Sequence, residues 1–253
     1  MDDILNRIAA KKVELDRLRP LSADALAQLQ KHYDVELTYT SNAIEGNTLT
    51  LRETAELIEH GITVAGKSLR EHLEAVDHYA AVQWMRGLAA ADTPLTESTV
   101  CEIHRRIVAR SQPAIAGIYS QLPRRIAGSR AVLPNPAKIP ALMEEFGAWI
   151  AAAPSEPAAA FEAHFRLAAI HPFADGNGRA ARLLMNLILI RGGYPPVAVR
   201  PEDRKTYLDA LERGSLTEDL KPFQRFMHER LDATMTEYLA ALQEAVPGKT
   251  SNL

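Results

Sequence analysis

Residues 171–182 read His-Pro-Phe-Ala-Asp-Gly-Asn-Gly-Arg-Ala-Ala-Arg and crowd reactive groups around one helix start. Glycines at 176 and 178 just ahead of a helix let backbone N–H groups turn toward one point, where the helix's positive end adds to the field. That is an anion cradle. Arg179 and Arg182 stand at i and i+3 on the first turn, so both guanidinium groups can fork onto one polyanion, which points to a polyphosphate. Asp175 beside the cradle would repel phosphate unless a divalent cation such as Mg²⁺ lay between them. His171 ends the preceding helix, and an ordinary imidazole pKa suits it to take a proton from a hydroxyl near neutral pH. Together these groups imply transfer of a phosphorus centre from a nucleotide to a hydroxyl. Each alone has a plainer reading: a core histidine, a helix cap, surface arginines, turn glycines. Structural needs do not explain their conjunction.

The elements that must position these residues read as helices almost throughout, with apolar residues at three- and four-residue spacing and recognisable caps. The first spans about 3–19 and meets Pro20. Ser22 caps the second, whose Leu26, Leu29, Tyr33 and Leu37 form one stripe and which continues through Ser41 to Glu45 before Gly46. Thr50 with Glu53, and Ser68 with Glu71, have capping-box spacing and open helices over about 51–60 and 69–90. Thr96 caps another that ends near Arg110. Five prolines and two glycines in 111–140 exclude a long helix there. Strands at 124–127 and 130–133 around Gly128-Ser129 predict a short β-hairpin, read as a flap over the site. Helices resume over about 141–152, 158–170 and 178–191, and two more follow, from Pro201 and over about 217–245. The expected architecture is one all-α domain, 1–253: N-terminal helices over 1–65, a core over 66–245 and a tail over 246–253.

Composition narrows the function classes. The 253 residues include 47% hydrophobic and 24% charged residues, with a formal net charge of -3 and a mean hydropathy of -0.16, which is a globular balance without a global basic field for nucleic acid. The longest apolar run, 183–190, contains Asn186 and is too short to cross a bilayer. The N-terminal residues carry charges where a secretory signal needs an apolar block. Cys101 is the sole cysteine, so no disulfide can form within the chain, and a cytoplasmic setting is the simplest expectation. No nucleic-acid or membrane partner is expected, and a homodimer stays open.

The 171–182 stretch resembles the signature of the Fic family, His-Pro-Phe-x-Asp/Glu-Gly-Asn-Gly-Arg-x-x-Arg, at every specified position. The likeness runs from about Thr40 to Tyr238, through Ser41-Asn42-Ala43-Ile44-Glu45-Gly46-Asn47, Gly66-Lys67-Ser68-Leu69, Glu102-Ile103-His104-Arg105-Arg106, Arg182-Leu183-Leu184-Met185-Asn186, Gly193-Tyr194-Pro195-Pro196 and Pro222-Phe223-x-Arg225-Phe226. Within the family it is most similar to the catalytic part of metazoan endoplasmic-reticulum members, without their membrane anchor and helical repeats. The resemblance implies a Fic-type helical bundle and an adenylyltransferase that moves AMP from Mg-ATP to a Ser, Thr or Tyr hydroxyl of a target protein. It makes His171 the base and Asp175 the Mg²⁺ ligand. Gly176, Asn177 and Gly178 would line the anion hole, and Arg179 and Arg182 would hold the outer phosphates, Arg182 the γ-phosphate. Gly178 implies AMP transfer over the chemistry of the family's Doc-type kinases, which carry lysine there.

The segment from Ser41 to Gly46 resembles the family's inhibitory helix, Ser/Thr-x-x-x-Glu-Gly/Asn. The resemblance makes Glu45 a competitor for Arg182 that displaces the γ-phosphate. The chain departs from the family at Gly117-Ile118-Tyr119-Ser120, where many members have arginine at the last position, and at Leu208, which replaces an aromatic residue near the adenine. Two other functions remain: removal of AMP from modified proteins, with Glu45 orienting a water, and a non-catalytic nucleotide-binding module, for which an intact His171 has no use.

Overall fold

The computed structural model describes residues 1–20, 23–91 and 93–245. Ten helices appear among them: α1 (Asp2–Arg17), α2 (Ala23–Ile44), α3 (Leu51–His60), α4 (Leu69–Ala89), α5 (Glu97–Ile107), α6 (Ile139–Ala152), α7 (Pro157–Ile170), α8 (Asn177–Arg191), α9 (Arg204–Thr217) and α10 (Lys221–Ala245). The expected caps of α3 and α4 form, with Thr50 and Ser68 each accepting from the N–H three residues on while Glu53 and Glu71 reach back. Each box satisfies backbone donors that a helix start leaves unpaired. The Ser22 cap and the 246–253 tail lie outside the described residues.

Helix α8 is the axis of the molecule. Residues 179–189 are buried without interruption, and a helix apolar on most of its circumference has to be surrounded. α7 lies along one flank, α4 and α5 along others, and α2 touches it near its start. α1 packs on α10, held by Lys11 and Arg7 on the Asp232 carboxylate at 2.6 and 2.9 Å. Among the described residues no helix is long and apolar enough to cross a membrane.

Three expectations need correction. The last helix begins at Lys221 and not near residue 217, which is the end of α9. α5 stops at Ile107, three residues short of Arg110, because the buried carboxylate of Asp77 on α4 accepts from the N–H groups of Arg110 and Ser111, both at 2.8 Å, and pulls the chain off the helix axis. The β-hairpin does not form among the described residues. The chain does turn at Gly128, which has φ 78°, and the N–H of Ser129 donates to Ile126 O at 3.1 Å. The N–H of Arg130, however, donates to Glu212 of α9 at 2.5 Å, with Ser129 Oγ on the same oxygen at 3.2 Å, so the loop is fastened to α9 and not to a second strand. Strands this short lack the cross-strand bonds to outcompete such a carboxylate. The one β-bridge among the described residues is elsewhere, between Tyr119 and Phe173.

Candidate active site

The site is built where α7 ends and α8 begins. α7 closes on His171 in the left-handed conformation, φ 51°, with its N–H donating to Leu167 O at 3.0 Å. Asn177 then locks the connecting loop: its side-chain oxygen accepts from the N–H of Phe173 and its amide donates to Phe173 O, both at 2.9 Å. Its side chain is thus spent on the loop, and what it can offer an anion is its backbone N–H. With those of Gly178 and Arg179, that N–H lies in the first turn of α8, where no intrahelical acceptor exists. Gly176, at φ 79°, passes so close to α5 that an added Cβ would come 3.2 Å from His104 Nε2.

His171 is arranged as a base. Its Nδ1 lies 3.3 Å from Ala168 O, and a carbonyl only accepts, so Nδ1 carries the proton and Nε2 keeps its lone pair. Burial pushes the ring below its ordinary pKa, with Arg124 adding to that shift and Ala168, Glu45 and Asp175 opposing it. Asp175 is half-exposed. Burial works to raise its carboxyl, but Gln112 at 2.6 Å, the Arg179 charge, the N–H of Gly176 at 2.6 Å and Arg70 at 3.1 Å hold it below the usual carboxylate value.

The two signature arginines are both buried and differently employed. Arg179 is 2% exposed, its nearest carboxylates, Glu74 and Asp175, stand at 3.7 Å, and its Nε and Nη1 have no hydrogen-bond partner among the described residues. Every nitrogen of Arg182 has a partner. Its Nε donates to Ser41 Oγ at 3.0 Å, Nη2 to Ser41 O at 2.9 Å and to Glu45 Oε1 at 2.7 Å, and Nη1 to Tyr207 Oη at 3.4 Å. Burial opposes its charge, yet Tyr207 and Glu45 keep it above its ordinary value. Tyr207 Oη in turn donates a hydrogen bond to His164 Nε2 at 2.8 Å. Glu45 sits where Gly178 lacks a side chain: a Cβ there would clash with Glu45 Oε1 and approach Arg182 Nη1 to 3.0 Å. Arg204 Nε donates to Ile44 O at 2.8 Å, fixing the end of α2 over this point.

The fold therefore gathers every residue singled out in the sequence, His171, Asp175, Gly176, Asn177, Gly178, Arg179, Arg182, Ser41 and Glu45, around the first turns of α8. Sequence reasoning missed Arg70, Gln112, Glu74, Tyr207 and His164, which complete the charge and hydrogen-bond pattern. Arg70 and Glu74 had a signal in their i, i+4 spacing on one helix face. The others come from distant segments and had none.

Comparison with known proteins bears on the family of the chain. Residues 94–189 match the Fic/DOC family model. The chain is similar to a protein named protein adenylyltransferase Fic from Nematostella vectensis, 35% identical over 94% of this chain and 56% of that protein. A protein of the same name from Culex quinquefasciatus is 35% identical over 94% of this chain and 48% of its own length. The chain thus spans about half the length of the curated relatives it matches. Among solved structures, a segment of Fic-1 from C. elegans superposes with a TM-score of 0.83 at 30% identity, over 95% of this chain and 71% of that one. A Fic domain containing signaling protein from Bacteroides thetaiotaomicron gives 0.87 at 28% identity, over 97% and 100%.

Proposed function

The chain belongs to the Fic family, and from that premise we propose that it is a protein adenylyltransferase that transfers AMP from ATP to a Ser, Thr or Tyr hydroxyl of a target protein and is held silent by Glu45. The observation that carries this reading is Arg179. A buried guanidinium whose Nε and Nη1 lack hydrogen bonds is costly, and beside the open N–H groups of α8 a phosphate is the partner that both features fit. His171 presents its free nitrogen at the other end of the same loop.

In the reaction, His171 Nε2 takes the hydroxyl proton while the hydroxyl oxygen bonds to the α-phosphorus. The bond from that phosphorus to the bridging oxygen breaks, and pyrophosphate leaves with the electron pair. The N–H groups at the α8 start, Arg179 and, once released, Arg182 carry the negative charge that moves outward. Asp175 is the residue that would hold Mg²⁺, since this hard cation needs only one or two carboxylates when phosphate oxygens and waters complete its shell. When bound, the ion neutralises phosphate charge. Asp175 must first release Gln112 and Arg70. A cytoplasmic location belongs to the same reading and rests on the lone Cys101.

The brake is supported by the Glu45 contact to Arg182 at 2.7 Å, which with the Ser41 bonds uses the Nε–H and both Nη2–H groups and leaves a γ-phosphate no two-pronged hold on Arg182. A second reading, hydrolytic removal of AMP, is favoured by one observation: the Glu45 charge is felt at His171, where it opposes the fall of the ring's pKa, so the carboxylate that would orient a water and the base act on one site. The deciding experiment is mass spectrometry of proteins incubated with Mg-ATP and Glu45→Gly protein. A gain of one AMP per modified protein is expected, and no such gain with a folded variant that binds ATP overturns the reading.

A further inference from the structure

His104 lies on α5 outside the signature, fully buried, yet both ring nitrogens are used on backbone that belongs to the site. Nδ1 accepts from the N–H of Gly117 at 3.0 Å, and Nε2 faces Asp175 O at 2.9 Å. An amide N–H only donates and a carbonyl only accepts, so these partners together specify the neutral ring with its proton on Nε2. Burial agrees, pushing the ring down to about 4. The ring also stacks on Phe173 with centroids 3.7 Å apart and planes 2° from parallel. Gly117 and Gly176, both at positive φ, let the two strands of backbone approach the ring and its helix closely. An added Cβ would come 3.0 Å from Cys101 O at Gly117 and 3.2 Å from the ring at Gly176.

We propose that His104 is a positioning residue for the transfer reaction: its two nitrogens hold the base of the 117–133 loop and the backbone of Asp175 in one register, so that the loop and the phosphate cradle move as a unit. The inference rests on the reading of the site given above. The N–H of Ser120 donates to Pro172 O at 2.8 Å, and Tyr119 bridges to Phe173, so His104 is the side-chain clasp on a junction that the backbone also makes. A core residue of the same size would fill the space. Only a side chain that carries both a donor and an acceptor can set both segments.

The test uses His104→Phe and His104→Gln in the Glu45→Gly protein. Phe keeps ring volume and stacking but loses both bonds, whereas the Gln amide carries one donor and one acceptor. Expected for Phe is a drop of at least tenfold in kcat for target labelling and at least tenfold faster hydrogen exchange in 116–120 and 172–176 together, with the helical core unchanged; Gln should stay within about threefold on both. Equal activity of Phe and parent, or faster exchange spread over the core, overturns the proposal. ¹⁵N spectra of the unmutated protein at pH 7 must show the His104 proton on Nε2, and a proton on Nδ1 overturns it even if the Phe variant fails to fold. If Glu45→Gly itself transfers no AMP, the assigned reaction fails, while exchange and ¹⁵N spectra still judge the coupling.

Discussion

His171 and Asp175 are held in their reactive forms by their surroundings, and each makes a separate prediction. Because His171 is pushed below its ordinary value of about 6.5, it stays an unprotonated base as pH falls through that value, so the acid limb of the rate profile in Glu45→Gly protein should lie below pH 6.5. Glu45 raises the ring's pKa, so its removal moves the limb further down. His171→Ala should cost about 10²- to 10⁴-fold in transfer rate with Mg-ATP binding kept, measured by titration beside the rate. Asp175→Ala should instead abolish the Mg²⁺-dependence of ATP binding, because the carboxylate and not the imidazole lies beside the cradle. ATP titrations with and without Mg²⁺ check this, and undiminished Mg²⁺-dependence would remove Asp175 from its role.

At the scale of elements, α2 matters as a unit, since its last turn brings Ser41 and Glu45 onto a residue more than a hundred positions away in sequence. A charge-assisted hydrogen bond is worth about 1.5–3 kcal/mol, so Glu45→Gly should raise self-labelling roughly ten- to a hundredfold. Arg182→Ala should not imitate it, because brake and clamp are lost together, and the double variant should match Arg182→Ala. Gly178→Ala separates the two sides further. Its methyl must expel Glu45, yet it also crowds Arg182, so self-labelling should stay low despite the broken pair. High activity in that variant would show that the α8 start is not where phosphate sits.

For the molecule as a whole, the many buried neutral histidines set its response to acid. Burial holds His78 and His164 down to about 3 and His104 to about 4, against about 6.5 in the unfolded chain. Their folded pKa values are depressed, so the unfolded chain binds more protons between about pH 6.5 and 4, and stability falls as pH drops through that window. With three such groups the slope approaches about 4 kcal/mol per pH unit near pH 5. Urea denaturation at pH 7 and pH 5 should therefore show a markedly lower midpoint at pH 5, and equal midpoints would mean that these rings are protonated in the folded protein.

Much of this was legible in the sequence because it is local. The capping boxes of α3 and α4, the apolar run of α8 and the cradle residues 171–182 all act within a few positions of one another, where spacing alone fixes which groups share a face. The resemblance carried by that stretch also brought Glu45 to Arg182 in advance. What spacing does not encode is competition between distant partners. Only the tertiary structure decided that Asp77 ends α5 early and that Glu212 takes the Arg130 N–H from the expected hairpin. It likewise decided that Arg182 takes its partners from the end of α2 and from α9 while Arg179, buried near it, keeps nitrogens without a hydrogen bond. In each case a backbone or side-chain donor chose among acceptors that lie far apart in the chain, and the choice was made by which helices pack around α8.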